Sequence, residues 1–210
     1  MKAINRLAKL TPGSLKYMGI SQYKDAELRD IDLSCVTELK RWVKGVSTAL
    51  LKGYGLYLYG NPCSGKSYVA AATLKAVSRR RVGKCRFYTA NSLRDTILDF
   101  DGRKNNPDVI SKYESFRDSE VLIIDSLGSE KVTDFYASEL KSILLARRSK
   151  ERAVTIFTSC ISPTPQGKRE VVVLYGSETA DLIFGTSYPI KVDGDYKNKI
   201  MDEMLSFMGK

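Results

Sequence analysis

The chain predicts an α/β fold, a parallel sheet flanked by helices, and three observations predict it. Short apolar runs of strand length recur at 55–60, 85–89, 120–125 and 153–159, and the first three are each followed by helix-forming sequence. Strands that alternate with helices imply a parallel sheet. The run "EVLIID" at 120–125 is almost continuously apolar, as expected of a strand buried on both faces. Between the first run and its helix lies "GNPCSGKS", 60–67, with the spacing G-x-x-x-x-G-K-S.

The elements follow in order. Residues 1–23 are basic and weakly patterned, and Pro12-Gly13 breaks any helix begun at Ile4, Leu7 and Leu10. That stretch is either a loose tail or a partner-binding segment. Residues 34–51 open on a cap-like Ser34 and space apolar residues at Val36, Leu39, Val43 and Val46, which predicts one amphipathic helix. "GLYLYG" is the first strand, and a helix runs from the loop to about Ser78. "CRFYT" at 85–89 alternates and is rich in strand formers. Asn91 or Ser92 caps a helix to about Phe100; 101–108 is a turn or loop; a further helix covers 108–116. After the strand at 120–125 a long helix spans about Thr133 to Arg148, then the strand "AVTIFTS" at 153–159. Residues 160–194 resist assignment, and "NKIMDEMLSFM" reads as a closing helix.

Bulk composition excludes several chemistries. Among the 210 residues there is no histidine, which removes Ser-His and Cys-His catalysis and every imidazole metal site. The four cysteines are scattered, with no C-x-x-C pair, and read as reduced thiols. No segment approaches the length of an apolar membrane helix, so the expectation is a cytoplasmic protein with no membrane partner. Lys and Arg number 34 against 24 Asp and Glu, a net charge of +10. That surplus suits a polyanionic partner, or simply a basic surface.

The strand-loop-helix setting turns the glycine spacing into a mechanism. Gly60 and Gly65 let the backbone wrap so that successive N–H groups face phosphate oxygens. Gly60, Asn61, Pro62, Cys63, Ser64, Gly65, Lys66, Ser67 and Tyr68 are the candidate nucleotide-binding residues. Lys66 would reach the β- and γ-phosphates, and the Ser67 hydroxyl would ligate Mg²⁺. Asp125, ending the buried strand, is the second candidate magnesium ligand, or else a cap on the following turn. The implied cofactors are ATP (or ADP) and Mg²⁺.

The segments "GLYLYGNPCSGKSYVAAA", "CRFYTANSLRDTILD", "VLIIDSLGSE", "FYASELKSILLARRSKERAVTIFTS" and "GTSYPIKV" occur in that order over roughly residues 35–195. Together they resemble the DnaC/DnaI/IstB group of AAA+ ATPases, replicative helicase loaders and their transposition relatives. The resemblance implies a P-loop NTPase fold of the AAA+ (ASCE) type, here with a reduced or absent helical lid. It divides the chain into a basic extension, 1–30, and an ATPase domain, 31–210, and implies a phage or mobile-element origin. It also implies action in DNA replication, with single-stranded DNA, a replicative helicase or another AAA+ protein as partner, and nucleotide-dependent homo-oligomers. Family members bind DNA partly through the helices that here span 91–116. Arg94, Arg103, Lys104, Lys112 and Tyr113 are therefore the DNA-binding candidates, with Phe116 as a further aromatic. An ordinary solvated helix pair is the other reading of that stretch.

Departures from the family pattern bear on hydrolysis. Where the family carries a second acid directly after the magnesium Asp, this chain has Ser126, which is no general base at neutral pH. Glu130 matches a later family Glu and is the stand-in, so the candidate catalytic set is Lys66, Asp125 and Glu130. At the γ-phosphate sensor position, where the family favours Asn, stand Ser159 and Cys160, with Thr158 beside them. The family's trans-acting arginine has no counterpart in "LYGSETADLIFGTSYPIKV", where Pro189 takes its place. Arg169, Arg147 and Arg148 are the nearest substitutes, the last two reading as a basic, solvated helix end. The expectation is an ATP-binding protein with slow or partner-dependent hydrolysis. Alternatives are an IstB-like transposition helper, a hydrolysis-deficient adaptor of another AAA+ assembly, and a small-molecule P-loop kinase. For the kinase, 161–175 offers only Lys168 and Arg169 as a basic lid.

Overall fold

The computed structural model describes residues 10–102, 106–195 and 204–208. Among them, five strands form one parallel sheet: β1 (Gly55–Tyr59), β2 (Cys85–Thr89), β3 (Val121–Leu127), β4 (Val154–Ser159) and β5 (Ser187–Lys191). Their spatial order is β2-β3-β4-β1-β5, which seats the strand leading into the phosphate loop between β4 and β5. The helices are α1 (Pro12–Met18), α2 (Val36–Lys44), α3 (Val46–Lys52), α4 (Lys66–Ser78), α5 (Ala90–Gly102), α6 (Pro107–Asp118), α7 (Asp134–Arg148), α8 (Pro165–Tyr175) and α9 (Ser177–Gly185).

Strand periodicity builds two cores, one on each face. Leu56, Leu58, Val121, Ile123, Val154 and Ile156 point into a cluster with α2, α3 and the apolar run Val69–Leu74 of α4. Their neighbours Tyr57, Leu122, Ile124 and Phe157 point the opposite way, onto α5, α6, α7, α8 and α9. Successive strand side chains alternate faces, so a sheet covered on both sides needs apolar residues at nearly every position. That is why β3 reads as a continuous apolar run.

Several elements differ from the sequence expectation, each for a local reason. Pro12 starts a helix, at the first turn of α1 behind a Thr11 cap that accepts from Ser14 N, while Ile4 and Leu7 lie outside the described residues. Proline fits there because its missing N–H would have no intrahelical acceptor anyway. The single helix expected over 34–51 is two, meeting at Gly45. Ser34 caps neither; its hydroxyl donates to Asp193. Residues 160–194 resolve into α8, α9 and β5. β5 is an edge strand, mostly exposed apart from buried Ile190, and only an edge tolerates Pro189. Of the closing helix, residues 204–208 are helical and the rest lies outside the described residues.

Part of the basic extension, 1–30, packs on the rest of the chain. Met18, Ile20, Ala26, Leu28 and Ile31 are buried in the same core as β1 and α4. Glu27 clamps this segment to α4, accepting from Lys75 Nζ at 2.9 Å and pairing with both terminal nitrogens of Arg79. Lys75 Nζ also donates to the Lys24 carbonyl at 2.6 Å.

The Arg79 hydrogen bonds, helped by Lys75 and opposed by burial, hold the Glu27 carboxyl down at about 2 from its usual 4.5. A carboxylate whose folded pKa is depressed adds stability that is present above the unfolded value and lost as pH falls toward the folded one. The stability difference between the wild type and Glu27→Gln, read from denaturation midpoints, is therefore expected to be constant above about pH 5 and to shrink steadily below about pH 4.5.

Candidate nucleotide-binding site

The loop between β1 and α4 is shaped by backbone that few residues tolerate. Gly60 has φ +156°, and a Cβ there would come within 2.2 Å of the Val192 carbonyl oxygen, so no side chain fits. Cys63 holds φ +61° despite its side chain, and Gly65 caps α4 at φ +88°. Lys66, at the first position of α4, is buried and curls back over the loop. Its ammonium donates to the carbonyls of Gly60 at 2.9 Å and Asn61 at 2.7 Å. A glycine-framed turn opening a helix, with a lysine reaching back across it, is the arrangement that receives phosphate groups on backbone N–H donors and a cation.

Ser67 and Asp125 meet beside this loop. The Ser67 hydroxyl donates to Asp125 Oδ2 at 3.0 Å, and Thr158 donates to Oδ1 at 2.6 Å. Asp125 is 4% exposed. Its placement depends on an irregularity: β3 and β4 stay in register to Ile124↔Phe157, then shift so that Leu127 faces Ser159. The extra residue is taken up at Asp125-Ser126, where Ser126 has φ +62° and donates its N–H to Thr158 Oγ1 at 2.8 Å. Bulges of this kind re-aim side chains at sheet ends. The oxygen donors of Ser67 and Asp125 suit a hard divalent cation that takes its remaining ligands from phosphate and water. Among the described residues no cluster of three or more His, Cys, Asp or Glu could hold a metal by itself.

The other candidates fall elsewhere. Glu130, the stand-in acid, is buried with both carboxylate oxygens engaged. Oε2 accepts from Gly128 N at 3.0 Å, and Oε1 accepts from the phenols of Tyr136 at 3.1 Å and Tyr175 at 2.5 Å. Burial, then the Glu130 charge, drives both tyrosine pKa values upward, so the phenols stay protonated donors. Glu130 ties the turn after β3 to α7 and α8. Ser159 is buried and structural, donating to Leu127 O at 2.7 Å and accepting from Ile161 N at 3.0 Å. Cys160 is exposed, one residue past the end of β4. Thr158, not either of these, touches the candidate magnesium ligand.

The basic candidates also separate. Arg147 is no solvated helix end: it is 2% exposed and donates to Thr155 Oγ1 and to the carbonyls of Phe116, Ser119 and Val154 at 2.6–3.0 Å. Burial pulls its pKa down to about 9, which leaves it charged at neutral pH. Arg148 and Arg169 are exposed. Tyr113 offers no face to a base, being buried, stacked on Phe100 with ring centroids 4.0 Å apart and bonded through its hydroxyl to Glu139. Phe116 is wholly buried. Lys112 is exposed and Arg94 pairs with Asp95, while Arg103 and Lys104 lie outside the described residues.

Sequence reasoning missed one residue near this site. Tyr23, far upstream, packs its ring against Phe87 of β2, and burial together with the Asp125 charge raises the pKa of its phenol. No motif marks it, because tertiary packing alone brings it there.

Sheet order, phosphate loop and the Ser67–Asp125 pair define a P-loop NTPase fold of the AAA+ type. In sequence the chain is 26% identical over 160 residues to the replicative helicase loader DnaI of Bacillus subtilis (strain 168), a match covering 69% of this chain and 47% of that protein. It thus spans about half the length of that relative. No protein-family model matches. Among solved structures, the DnaC helicase loader superposes with a TM-score of 0.67 at 20% identity, over 81% of this chain and 98% of that one. The replication initiator DnaA bound to AMPPCP and single-stranded DNA superposes with a TM-score of 0.64 at 11% identity, over 89% and 56%. The chain is DnaC/DnaI-like, by sequence to DnaI and by fold to both loaders.

If Glu130 is a clamp, Glu130→Ala is expected to cost about 3 kcal/mol of stability by stranding two buried phenols and a backbone N–H. Nucleotide affinity of the folded variant should be essentially unchanged. Urea titration and fluorescence-detected nucleotide binding on the same sample check both halves.

Proposed function

We propose that the chain is an ATP-binding protein of the helicase-loader type that acts in DNA replication, with slow or partner-dependent hydrolysis. The observation that carries this reading is the split within the site. The parts that would hold phosphate and magnesium lie together, and the positions that would activate water are occupied by groups engaged elsewhere. Lys66 is poised over the loop with two carbonyls and the Ser64 hydroxyl as partners, and in the bound state its ammonium would move to the β- and γ-phosphates. Ser67 and Asp125 would hold Mg²⁺, which neutralises charge developing on the transferred phosphoryl group. Thr158 and the Ser126 N–H orient the Asp125 carboxylate.

Hydrolysis is the weaker half. Ser126 replaces the acid expected there, Glu130 is committed to its two tyrosines, and Thr158 is committed to Asp125. A residue that only orients Asp125 does not orient an attacking water. The relatives support the replication setting: a helicase loader by sequence, and an initiator solved with an ATP analogue and single-stranded DNA by fold. On this chain, single-stranded DNA would be met by Lys112 and Arg94, with Arg103 and Lys104 between them in sequence, and the contact would be electrostatic and salt-dependent.

A second reading, an ATP-locked adaptor within another AAA+ assembly, is favoured by one observation. The stretch 174–192 carries no arginine, and Arg147 is buried, leaving Arg148 and Arg169 as the exposed substitutes. A subunit without a trans-acting arginine cannot activate its neighbour, although it can receive activation.

The test is ATP binding and turnover measured together, with and without single-stranded DNA, for the intact chain and Lys66→Ala. Micromolar binding that Lys66→Ala abolishes, with turnover near background, is the expected result. Brisk turnover by the chain alone would overturn the slow-hydrolysis half, and binding unaffected by Lys66→Ala would overturn the site.

A further inference from the structure

Every connection in this parallel sheet must return the chain to the starting end of the next strand, so the residues just ahead of each strand gather at that end. The phosphate loop and Asp125 lie at the finishing ends. The starting end is basic on both faces of the sheet. On one face stand exposed Lys44 at the end of α2, Arg80 and Arg81 after α4, and Lys84 ahead of β2. Arg80 donates to the Lys44 carbonyl at 3.5 Å, which brings those two helix ends together. Arg148 closes α7 on the opposite face, exposed like Arg152 ahead of β4 and Lys52 at the end of α3.

A cavity of about 360 Å³ lies at this end, lined among others by Lys52, Tyr54, Arg147, Arg148, Lys150 and Thr186. Buried Arg147 is bonded to neutral oxygens alone and makes no ion pair among the described residues, so its charge stands uncancelled at the cavity wall. Tyr54 is 59% exposed, and its backbone is fixed by Trp42 Nε1 donating to its carbonyl at 3.0 Å.

Cations at helix C-termini answer the helix macrodipole, but that dipole amounts to only about half a charge per helix. The ends of α4 and α7 carry more than that. Arg79 is taken by Glu27, yet Arg80 and Arg81 follow it; beyond Arg147 come Arg148 and Arg152. Of the acids in these turns, Asp118 pairs with Lys150 at 2.8 Å and Glu120 accepts the Lys84 N–H at 2.6 Å, which leaves Glu151. Lys52, Arg148 and Arg152 make no ion pair among the described residues. From β2, which Lys84 precedes, to β1, which Tyr54 precedes, is three strand spacings, roughly 14 Å, room for several phosphates. Unpaired cations around an exposed aromatic ring suit a flexible polyanion that carries stackable bases. An acidic peptide would use the cations and leave the ring idle.

We propose that the starting end of the sheet is a second surface for single-stranded nucleic acid, with phosphates on Lys52, Arg148 and Arg152 and a base against Tyr54. It rests on the DNA reading above and adds to the contact proposed for α5 and α6. Nucleic acid held here leaves the phosphate loop open, so both ligands can be bound at once.

The experiment measures anisotropy of a labelled oligothymidylate across a salt series, on the full chain and on the triple variant Lys52→Gln, Arg148→Gln, Arg152→Gln. A matched control carries Lys16→Gln, Lys131→Gln and Lys191→Gln, exposed positions away from this end with the same change in net charge. The triple variant is expected to weaken binding about ten-fold and to lower the slope of log affinity against log salt by about 2, at roughly 0.7 per phosphate. Its unfolding midpoint and its affinity for a fluorescent ATP analogue should match wild type, and the control should keep the wild-type slope. Arg152→Gln alone should lower the slope by about 0.7, which keeps the test available if the triple variant folds poorly. A wild-type slope in the triple variant, or an equal fall in the control, would overturn the proposal and leave DNA to other residues. So would a polyglutamate peptide whose binding the triple variant loses while DNA binding stays intact, because the surface would then serve an acidic protein. Failure of the DNA reading itself looks different: the wild-type chain shows no salt-dependent affinity for the oligonucleotide, and both fall together.

Discussion

The Asp125 carboxylate is the joint on which the site depends. It sits where β3 leaves the sheet register, and two hydroxyls from different elements close on it, Ser67 from α4 and Thr158 from β4. A buried carboxylate with only 4% of its surface exposed needs such donors, because an ionised group without them is strongly disfavoured away from water. Meeting that need also fixes the spacing between the phosphate loop and the end of β4. The left-handed Ser126 is the local cost: its backbone bends so that its N–H holds Thr158 and Thr158 holds the aspartate.

Around this joint, buried polar groups divide into those that face the loop and those that tie elements together. Glu130 and Arg147 both belong to the second kind. Each is held by several hydrogen bonds inside the protein, Glu130 by two phenols and a backbone N–H, Arg147 by three carbonyls and a hydroxyl. A charge so fully engaged gains rigidity at the expense of availability. Chemistry at the γ-phosphate would need a group that can change partners, and Lys66, bonded to atoms of the loop itself, is such a group.

The segment before α2 extends the same logic outward. Its ion pairs join it to the far part of α4, and its apolar side chains share the core of β1 and α4. Apolar burial of Ile20, Ala26 and Leu28 supplies the adhesion, and Glu27 fixes the register of the segment on the helix.

Much of the fold was legible in the linear pattern because the physics there is local. Continuous apolar runs mark strands covered on both faces, and the glycine spacing marks a turn that side chains cannot make, so β1 to β4, α4 and the pairing of Ser67 with Asp125 follow from residue order. The half-exposed β5 with its proline and the break at Gly45 carry no comparable signal, and neither was assigned. Residue type alone could not separate a solvated arginine from Arg147, a base-stacking tyrosine from Tyr113, or a catalytic acid from Glu130. Each role is set by what packs against the side chain from distant parts of the chain. Sequence by itself determined that this protein carries a phosphate loop in a parallel α/β sheet. Tertiary structure decided which polar side chains remain free to act there, because burial and hydrogen-bond partners exist only once the chain has closed on itself.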